Sequence, residues 1–305
     1  MKPHWTGVFP ACTTQLNKDQ SLDLPGTARH FEALIKSGVT GLIVCGSLGE
    51  NQTLDPDEKR AVVRCAVETA KGRVPVLSGV AESSTRAAVR YVRDVAQLGA
   101  AGVMLMPPMS YKGDPRESMT YLRTVAKDGG LPIMIYNNPI SYANDITPAL
   151  FAELADEPKF VAIKESSGDP RRITELRNTV GDRYAVFTGV DDLLLEAAIL
   201  GIDGWVAGTG IAFPAENQRL WELTRAGQWD EARALYRWFQ PLLKLDTHVH
   251  FVQYIKLCEQ ETGLGREWVR APRLPIAGDE RKAVLKIIRD ALAKRPKLAK
   301  LNRNR

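Results

Sequence analysis

Eight short runs of apolar residues recur along the chain, separated by stretches of mixed polarity. A run in which nearly every position is apolar is typical of a strand covered on both faces, as in a parallel sheet. The pattern therefore predicts eight buried strands. The runs are GVFPACTT (7–14), GLIVCGS (41–47), VPVLSGV (74–80), GVMLMPP (102–108), LPIMIYNNP (131–139), FVAIKESS (160–167), YAVFTGV (184–190) and GWVAGTG (204–210).

The stretches between these runs carry apolar residues at i, i+3, i+4 and i+7, which is the spacing of an amphipathic helix. Three of them begin with an Asp-Pro pair, a common helix start, at Asp55-Pro56, Asp114-Pro115 and Asp169-Pro170. Eight alternations of strand and helix predict an α/β fold of the (β/α)8 TIM barrel type. A doubly wound sheet is the alternative, but ACTTQ (11–15) lacks its glycine-rich fingerprint.

Further helical stretches and a basic end follow the eighth run. We expect a barrel with the catalytic site at residues 1–225 and a helical C-terminal extension at 226–293. The segment KRPKLAKLNRNR (294–305) carries six Lys and Arg residues and is predicted to be a disordered tail. Without these six, 35 basic residues stand against 36 acidic ones. Because this body shows no basic stripe, we expect no nucleic-acid partner.

Composition narrows the setting further. No apolar run approaches the roughly 18 residues of a membrane span, and the N-terminus lacks an apolar signal region. The four cysteines show no CxxC spacing, which indicates reduced thiols. We therefore expect a cytoplasmic protein without a membrane partner.

A lysine and a tyrosine are the candidate catalytic pair. Active sites of barrels lie at the C-terminal strand ends, where Tyr136 closes the fifth run and Lys164 lies in the sixth. Desolvation lowers the pKa of a buried lysine, and the free amine can attack a ketone to give a Schiff base. Tyr136 could then shuttle protons. The alternative is a structural Lys164 paired with Glu165, although neighbouring strand residues face opposite ways.

The motifs together resemble the dihydrodipicolinate synthase / N-acetylneuraminate lyase family of Schiff-base barrel enzymes. The likeness covers nearly the whole chain. It rests on GVFPACTTQ, GSLGEN with LDPDEKR, VPVLSGVAESST, the tyrosine of YNNP, the lysine of IKESSGD, and TGVDD. The resemblance implies that Lys164 is the nucleophile, that Tyr136 protonates and positions the substrate, and that the protein is a homotetramer or homodimer. It implies no cofactor beyond the covalent Schiff base.

Two departures from the synthase bear on the substrate. Ser47 matches the first hydroxyl of the family's turn, which would hold the carboxylate of a 2-oxo acid, whereas Leu48 replaces the second. We expect Leu48 to interrupt the synthase's proton relay, whose second tyrosine aligns with Met109 and not with Tyr111. In addition, NNPISYAND (137–145) lacks the arginine that binds the aldehyde substrate's carboxylate.

GSLGEN together with YNNP is most similar to the 1-pyrroline-4-hydroxy-2-carboxylate deaminases of hydroxyproline degradation. The expected substrate is a 2-oxo acid or this cyclic imine, with Asn138 and Ser141 contacting its hydroxyl or ring nitrogen. Gly189 and Gly208, after the seventh and eighth runs, are expected to leave room for it. The alternatives are 4-hydroxy-tetrahydrodipicolinate synthase, a sugar-acid aldolase or dehydratase, and a non-catalytic regulator that binds 2-oxo acids.

No metal site is expected. His248 and His250 have the spacing of a metal pair on a strand, but THVHFVQYIKLCEQ (247–260) predicts a helix, where they would face apart. Asp191 and Asp192 are interpreted as helix-capping residues rather than Mg²⁺ ligands.

Overall fold

A computed structural model describes residues 4–109 and 111–298. Within these ranges, eight strands pair in parallel in the order β1-β8-β7-β6-β5-β4-β3-β2. The strands are β1 (Gly7–Val8), β2 (Leu42–Val44), β3 (Val76–Val80), β4 (Gly102–Leu105), β5 (Ile133–Asn137), β6 (Phe160–Glu165), β7 (Ala185–Thr188) and β8 (Gly204–Trp205). Each falls inside one of the eight apolar runs, and seven of the eight are buried throughout.

The sheet closes on itself between its first two strands. Just after β1, Ala11 forms a parallel bridge with Ile43 of β2. The backbone N–H of Cys12 donates to the Ile43 carbonyl at 2.8 Å, and that of Ile43 donates to the Pro10 carbonyl at 3.0 Å. The predicted TIM barrel is thereby confirmed, and the doubly wound sheet is wrong.

Helices alternate with the strands and then continue beyond them. In the described ranges they are α1 (Leu24–Lys36), α2 (Pro56–Ala70), α3 (Thr85–Gln97), α4 (Pro115–Gly129), α5 (Pro139–Tyr142), α6 (Pro148–Glu153), α7 (Arg171–Val180), α8 (Leu194–Ile199), α9 (Pro214–Arg225), α10 (Trp229–Leu243), α11 (Phe251–Thr262) and α12 (Gly278–Ala293). Two Asp-Pro pairs begin helices as predicted, because Asp55 and Asp114 form capping boxes with Glu58 and Glu117. None of these helices is both long and apolar enough to cross a bilayer.

Helix α11, beyond the eighth strand, makes buried polar contacts with residues of the barrel. From α11, Lys256 donates to Glu50 at 2.7 Å and Glu259 accepts from Thr13 at 2.6 Å, and all four side chains are buried. The division of the chain at residue 225 into a barrel and a C-terminal extension therefore stays a prediction. Arg295, at the start of the predicted tail, pairs with Glu216; residues 299–305 of that tail lie outside the described ranges.

Candidate active site

Tyr136 and Lys164 lie side by side on neighbouring strands. They are register partners between β5 and β6, so their side chains leave the sheet on the same face. The Lys164 Nζ lies 3.9 Å from the centre of the Tyr136 ring, and the two residues are only 7% and 6% exposed. The structure thus brings the predicted nucleophile and proton shuttle into contact.

The pairing of Lys164 with Glu165 is not found. Glu165 instead accepts from Asn137 Nδ2 at 3.0 Å and from the backbone N–H of Ser167 at 2.6 Å. Burial lowers the pKa of the Lys164 amine, against the charges of Tyr142, Asp246 and Asp191, which raise it. The amine is therefore closer to its nucleophilic, uncharged form than an exposed lysine would be.

Hydroxyl groups surround the lysine. Tyr136 Oη accepts from Asn138 Nδ2 at 3.1 Å, and burial raises the pKa of the Tyr136 phenol, so it holds its proton. The Tyr142 ring packs edge-on against that of Tyr136, at 5.5 Å between ring centres. Tyr142 Oη in turn lies 2.5 Å from Ser47 Oγ. Ser47, Tyr142 and Tyr136 thus form a row of hydroxyl groups leading to Lys164.

Leu48 takes no part in this row. Its side chain is 3% exposed and packs in the hydrophobic core. That Leu48 interrupts the synthase's hydroxyl relay stays a prediction, and the contact between Ser47 and Tyr142 forms without residue 48. Leu48 also does not line the cavity, so its predicted role in substrate binding gains no support.

A cavity of about 580 Å³ lies beside Tyr136 and Gly189, both of which contact Lys164, although Lys164 itself does not line it. Of the predicted site residues it is lined by Ser47, Tyr136, Asn138, Ser141 and Gly189. A methyl group on Gly189 would lie 2.3 Å from Lys164 Cε, so the lysine packs against the bare glycine backbone. Gly208 does not line the cavity; the same addition there would lie 2.2 Å from Asp246 Oδ1.

The opposite wall comes from the C-terminal part of the chain, which the sequence analysis did not assign to the site. Asp246, Thr247, His248, Phe251 and Arg273 line it. No spacing rule connects these positions with Lys164, since they reach the cavity only through tertiary packing. Arg273 supplies a cation that the segment after Tyr136 lacks, and its guanidinium lies 3.9 Å from Glu50 Oε2.

The Asp191 carboxylate is held by hydrogen bonds within the protein. Its carboxylate accepts from Trp205 Nε1 at 3.0 Å and from the backbone N–H groups of Gly208 and Thr209 at 3.0 and 2.7 Å. It therefore ties the end of β7 to the turn after β8. Burial raises the pKa of this carboxyl to about 6. With three donors around it, Asp191 is unsuited to binding a cation.

The two histidines do not lie in a helix, and that prediction was wrong. Helix α11 begins at Phe251, directly after them. His250 Nδ1 lies 2.6 Å from Glu280 Oε1, which also accepts from Tyr254 Oη at 2.7 Å. Ligand atoms of His248, His250 and Glu280 lie within 4.8 Å of one another. The Glu280 oxygen is already shared by two protein partners, and the absence of a metal stays a prediction.

Comparison with known proteins gives one consistent result. The Dihydrodipicolinate synthetase family matches residues 4–291. A 4-hydroxy-tetrahydrodipicolinate synthase of Xanthomonas campestris pv. campestris is 31% identical over 291 residues, covering 94% of this chain and 95% of the relative. The structure of dihydrodipicolinate synthase from Bacillus anthracis superposes with a TM-score of 0.89 at 27% identity, over 94% of this chain and 98% of that one.

A further solved structure carries a ligand. The dihydrodipicolinate synthase from Acinetobacter baumannii, complexed with pyruvate, superposes with a TM-score of 0.88 at 26% identity, over 94% of this chain and 98% of that one. The family works through a Schiff base between a lysine and its substrate, without an external cofactor. The oligomeric state of this chain stays a prediction.

Proposed function

The chain belongs to the dihydrodipicolinate synthetase family, and on that premise we propose that Lys164 and Tyr136 perform its lyase chemistry. The uncharged Nζ of Lys164 attacks C2 of a 2-oxo acid or imine. Tyr136, in contact with the amine, passes protons to and from the departing group. The resulting iminium withdraws electrons from C3. The buried contact between these two residues is the observation that carries the proposal.

The specific reaction that we assign is deamination of 1-pyrroline-4-hydroxy-2-carboxylate. Attack on C2 opens the ring and leaves the nitrogen as a primary amine on C5. Loss of a proton from C3 and of the 4-hydroxyl as water gives a conjugated iminium. Proton shifts turn the C5 amine into an imine. Two water molecules then release ammonia and 2,5-dioxopentanoate, so one substrate and one net water account for all the atoms.

The wall beside Tyr136 supports this assignment. Asn138, Ile140, Ser141 and Tyr142 line the cavity there and bring no positive charge. A condensing synthase binds a second carboxylate away from water, which calls for a charged donor. The cyclic imine has one carboxylate, which Ser47 and the neighbouring backbone N–H groups would hold, so it makes no such demand.

A second candidate is 4-hydroxy-tetrahydrodipicolinate synthase, which is the name of the Xanthomonas relative. Two features of the cavity favour it. The hydroxyl contact between Ser47 and Tyr142 offers a route for protons, and Arg273 offers a cation for a second carboxylate.

Assays of both reactions on one enzyme preparation distinguish the two candidate functions. We expect kcat/KM for ammonia release from 1-pyrroline-4-hydroxy-2-carboxylate to exceed that for condensation of pyruvate with aspartate semialdehyde. Equal or faster condensation would make the protein a synthase. If neither reaction proceeds but borohydride still fixes pyruvate to Lys164, a sugar-acid aldolase or dehydratase is the better assignment. Absence of both turnover and trapping would leave a binding protein.

A further inference from the structure

Asp246 lines the cavity with a carboxyl group. The Schiff-base mechanism proposed for Lys164 assigns no role to this group. It lies in the 3₁₀ turn Lys244–Thr247 after α10 and lines the cavity with Tyr136 and Gly189. Its charge raises the pKa of both Lys164 and Tyr136. Asp246 is therefore a carboxyl group of the cavity wall that the proposed mechanism does not use.

The space for this carboxylate is created by a glycine. A methyl group on Gly208 would lie 2.2 Å from Asp246 Oδ1 and 2.7 Å from its Cγ. Any side chain at position 208 would have to displace Asp246 from the cavity. The turn after β8 thus accommodates the acid rather than lining the cavity itself.

Asp246 also differs from its neighbour Asp191. The Asp191 carboxylate is held by three N–H donors, whereas within residues 4–109 and 111–298 no protein donor hydrogen-bonds that of Asp246. Burial and the nearby Asp191 raise the pKa of Asp246 well above its usual range. The neutral acid is therefore favoured in the empty cavity, and a ligand that brings a cation would stabilise the carboxylate instead.

We propose that Asp246 binds the amino group that is set free when Lys164 opens the cyclic imine. This inference rests on the proposed function. During opening, Nζ bonds to C2 and the bond from C2 to the ring nitrogen breaks. That nitrogen gains one proton from Nζ, a second from the site acid and a third from water, and it leaves C2 as an ammonium group on C5. An ammonium at that position supplies the donors that Asp246 lacks, and holding it keeps the ring from closing again.

The test uses two ligands that form Schiff bases but carry no 4-hydroxyl group to eliminate. 1-Pyrroline-2-carboxylate yields an adduct with a C5 amine, and 2-oxopentanoate yields the same carbon chain without it. Half-saturating concentrations are measured by borohydride trapping and mass spectrometry for the wild type, Asp246→Asn and the control Asp192→Asn. Asp192 is a neighbouring partly buried carboxyl that does not line the cavity.

We expect Asp246→Asn to weaken trapping of the pyrroline about tenfold to a hundredfold, the range for a charge-assisted hydrogen bond. Trapping of 2-oxopentanoate should weaken much less, because its adduct carries no amino group for Asp246 to bind. Asp192→Asn should change neither. An equal loss for both ligands, or no loss for either, would overturn the inference, and so would a wild type that traps only 2-oxopentanoate.

Failure of the proposed function gives a different result. If the wild type releases no ammonia from the hydroxylated substrate, yet traps the pyrroline in a manner that depends on Asp246, the deaminase assignment fails and amine binding by Asp246 stands. If ammonia is released but Asp246→Asn affects both ligands alike, only the inference about Asp246 fails.

Discussion

The burial that would make the Lys164 amine nucleophilic should also lower the stability of the fold. A buried amine disfavours the charged form, so the unfolded chain binds the proton more tightly than the folded one. Lys164→Met should abolish labelling by pyruvate and borohydride and should raise the free energy of unfolding at pH 7. The gain should shrink as the pH rises toward the ordinary lysine value of 10.5. Denaturant unfolding at pH 7 and 10 tests this, and a less stable variant at pH 7 would contradict it.

The Tyr136 hydroxyl should matter for rate rather than for folding. Tyr136→Phe keeps the ring that packs against Lys164 and Tyr142 and removes only the hydroxyl that we propose to transfer protons. We expect turnover to fall about 10²–10⁴-fold at an unchanged melting temperature. Tyr121→Phe is the control, since Tyr121 is equally buried at 6% but lies on α4. A loss of less than about threefold would assign the proton transfer to another group.

Gly189 should be intolerant of a side chain for a local reason. In Gly189→Ala the new methyl group would lie 2.3 Å from both Lys164 Cε and Ser166 Oγ, so the lysine has to move. Activity and borohydride labelling should drop at least tenfold, because misplacement of a reacting group by about 1 Å can cost about 10² in rate. Gly113→Ala, whose nearest neighbour would be the carboxylate of Glu117 at 3.2 Å and not Lys164, should keep both.

Among the elements, the strands were the part of the fold that the pattern of apolar runs predicted best. Strands β5 and β6 lie inside their apolar runs, and their register places Tyr136 beside Lys164. The proposed catalytic pair could therefore be predicted from the local pattern and the family likeness. The wall formed by Asp246 and Arg273 was not, because no local periodicity states where a segment after the last strand will pack.

A buried ion pair connects two distant elements. Lys256 of α11 donates to Glu50 in the turn after β2, and both side chains are fully buried. Glu50 also accepts from the Arg270 backbone N–H at 2.9 Å. Lys256→Met leaves the buried Glu50 carboxylate with only Arg273, 3.9 Å away, as a charge partner, and should cost up to about 3–5 kcal/mol of unfolding free energy.

Two further variants check this estimate. Adding Glu50→Gln to Lys256→Met should recover part of the loss, because the amide oxygen still accepts from Arg270 without a buried charge. Lys286→Met breaks the exposed pair with Asp290 on α12 and should cost less than about 1 kcal/mol. Similar costs for the buried and exposed pairs would mean that the Glu50 carboxylate is solvated after the mutation.

For the whole molecule, the mechanism assigns electron withdrawal to the iminium on Lys164 and leaves no step to a metal. Steady-state turnover should survive dialysis against EDTA, with the same protein refilled with Zn²⁺ as the comparison. Activity lost on chelation and restored by a divalent ion would overturn the mechanism. The cluster of His248, His250 and Glu280, of which His248 lines the cavity, would then be the first place to examine.

The pair between Glu50 and Lys256 also bears on how the protein is made. The two residues are 206 positions apart, so the ribosome releases Glu50 long before its partner. At roughly 5–20 residues per second, the interval is on the order of 10–40 s. Throughout it, the turn that carries Ser47 lacks its anchor. Lys164 is made within this interval and gains the wall formed by Asp246 and Arg273 only after those later residues have been synthesised.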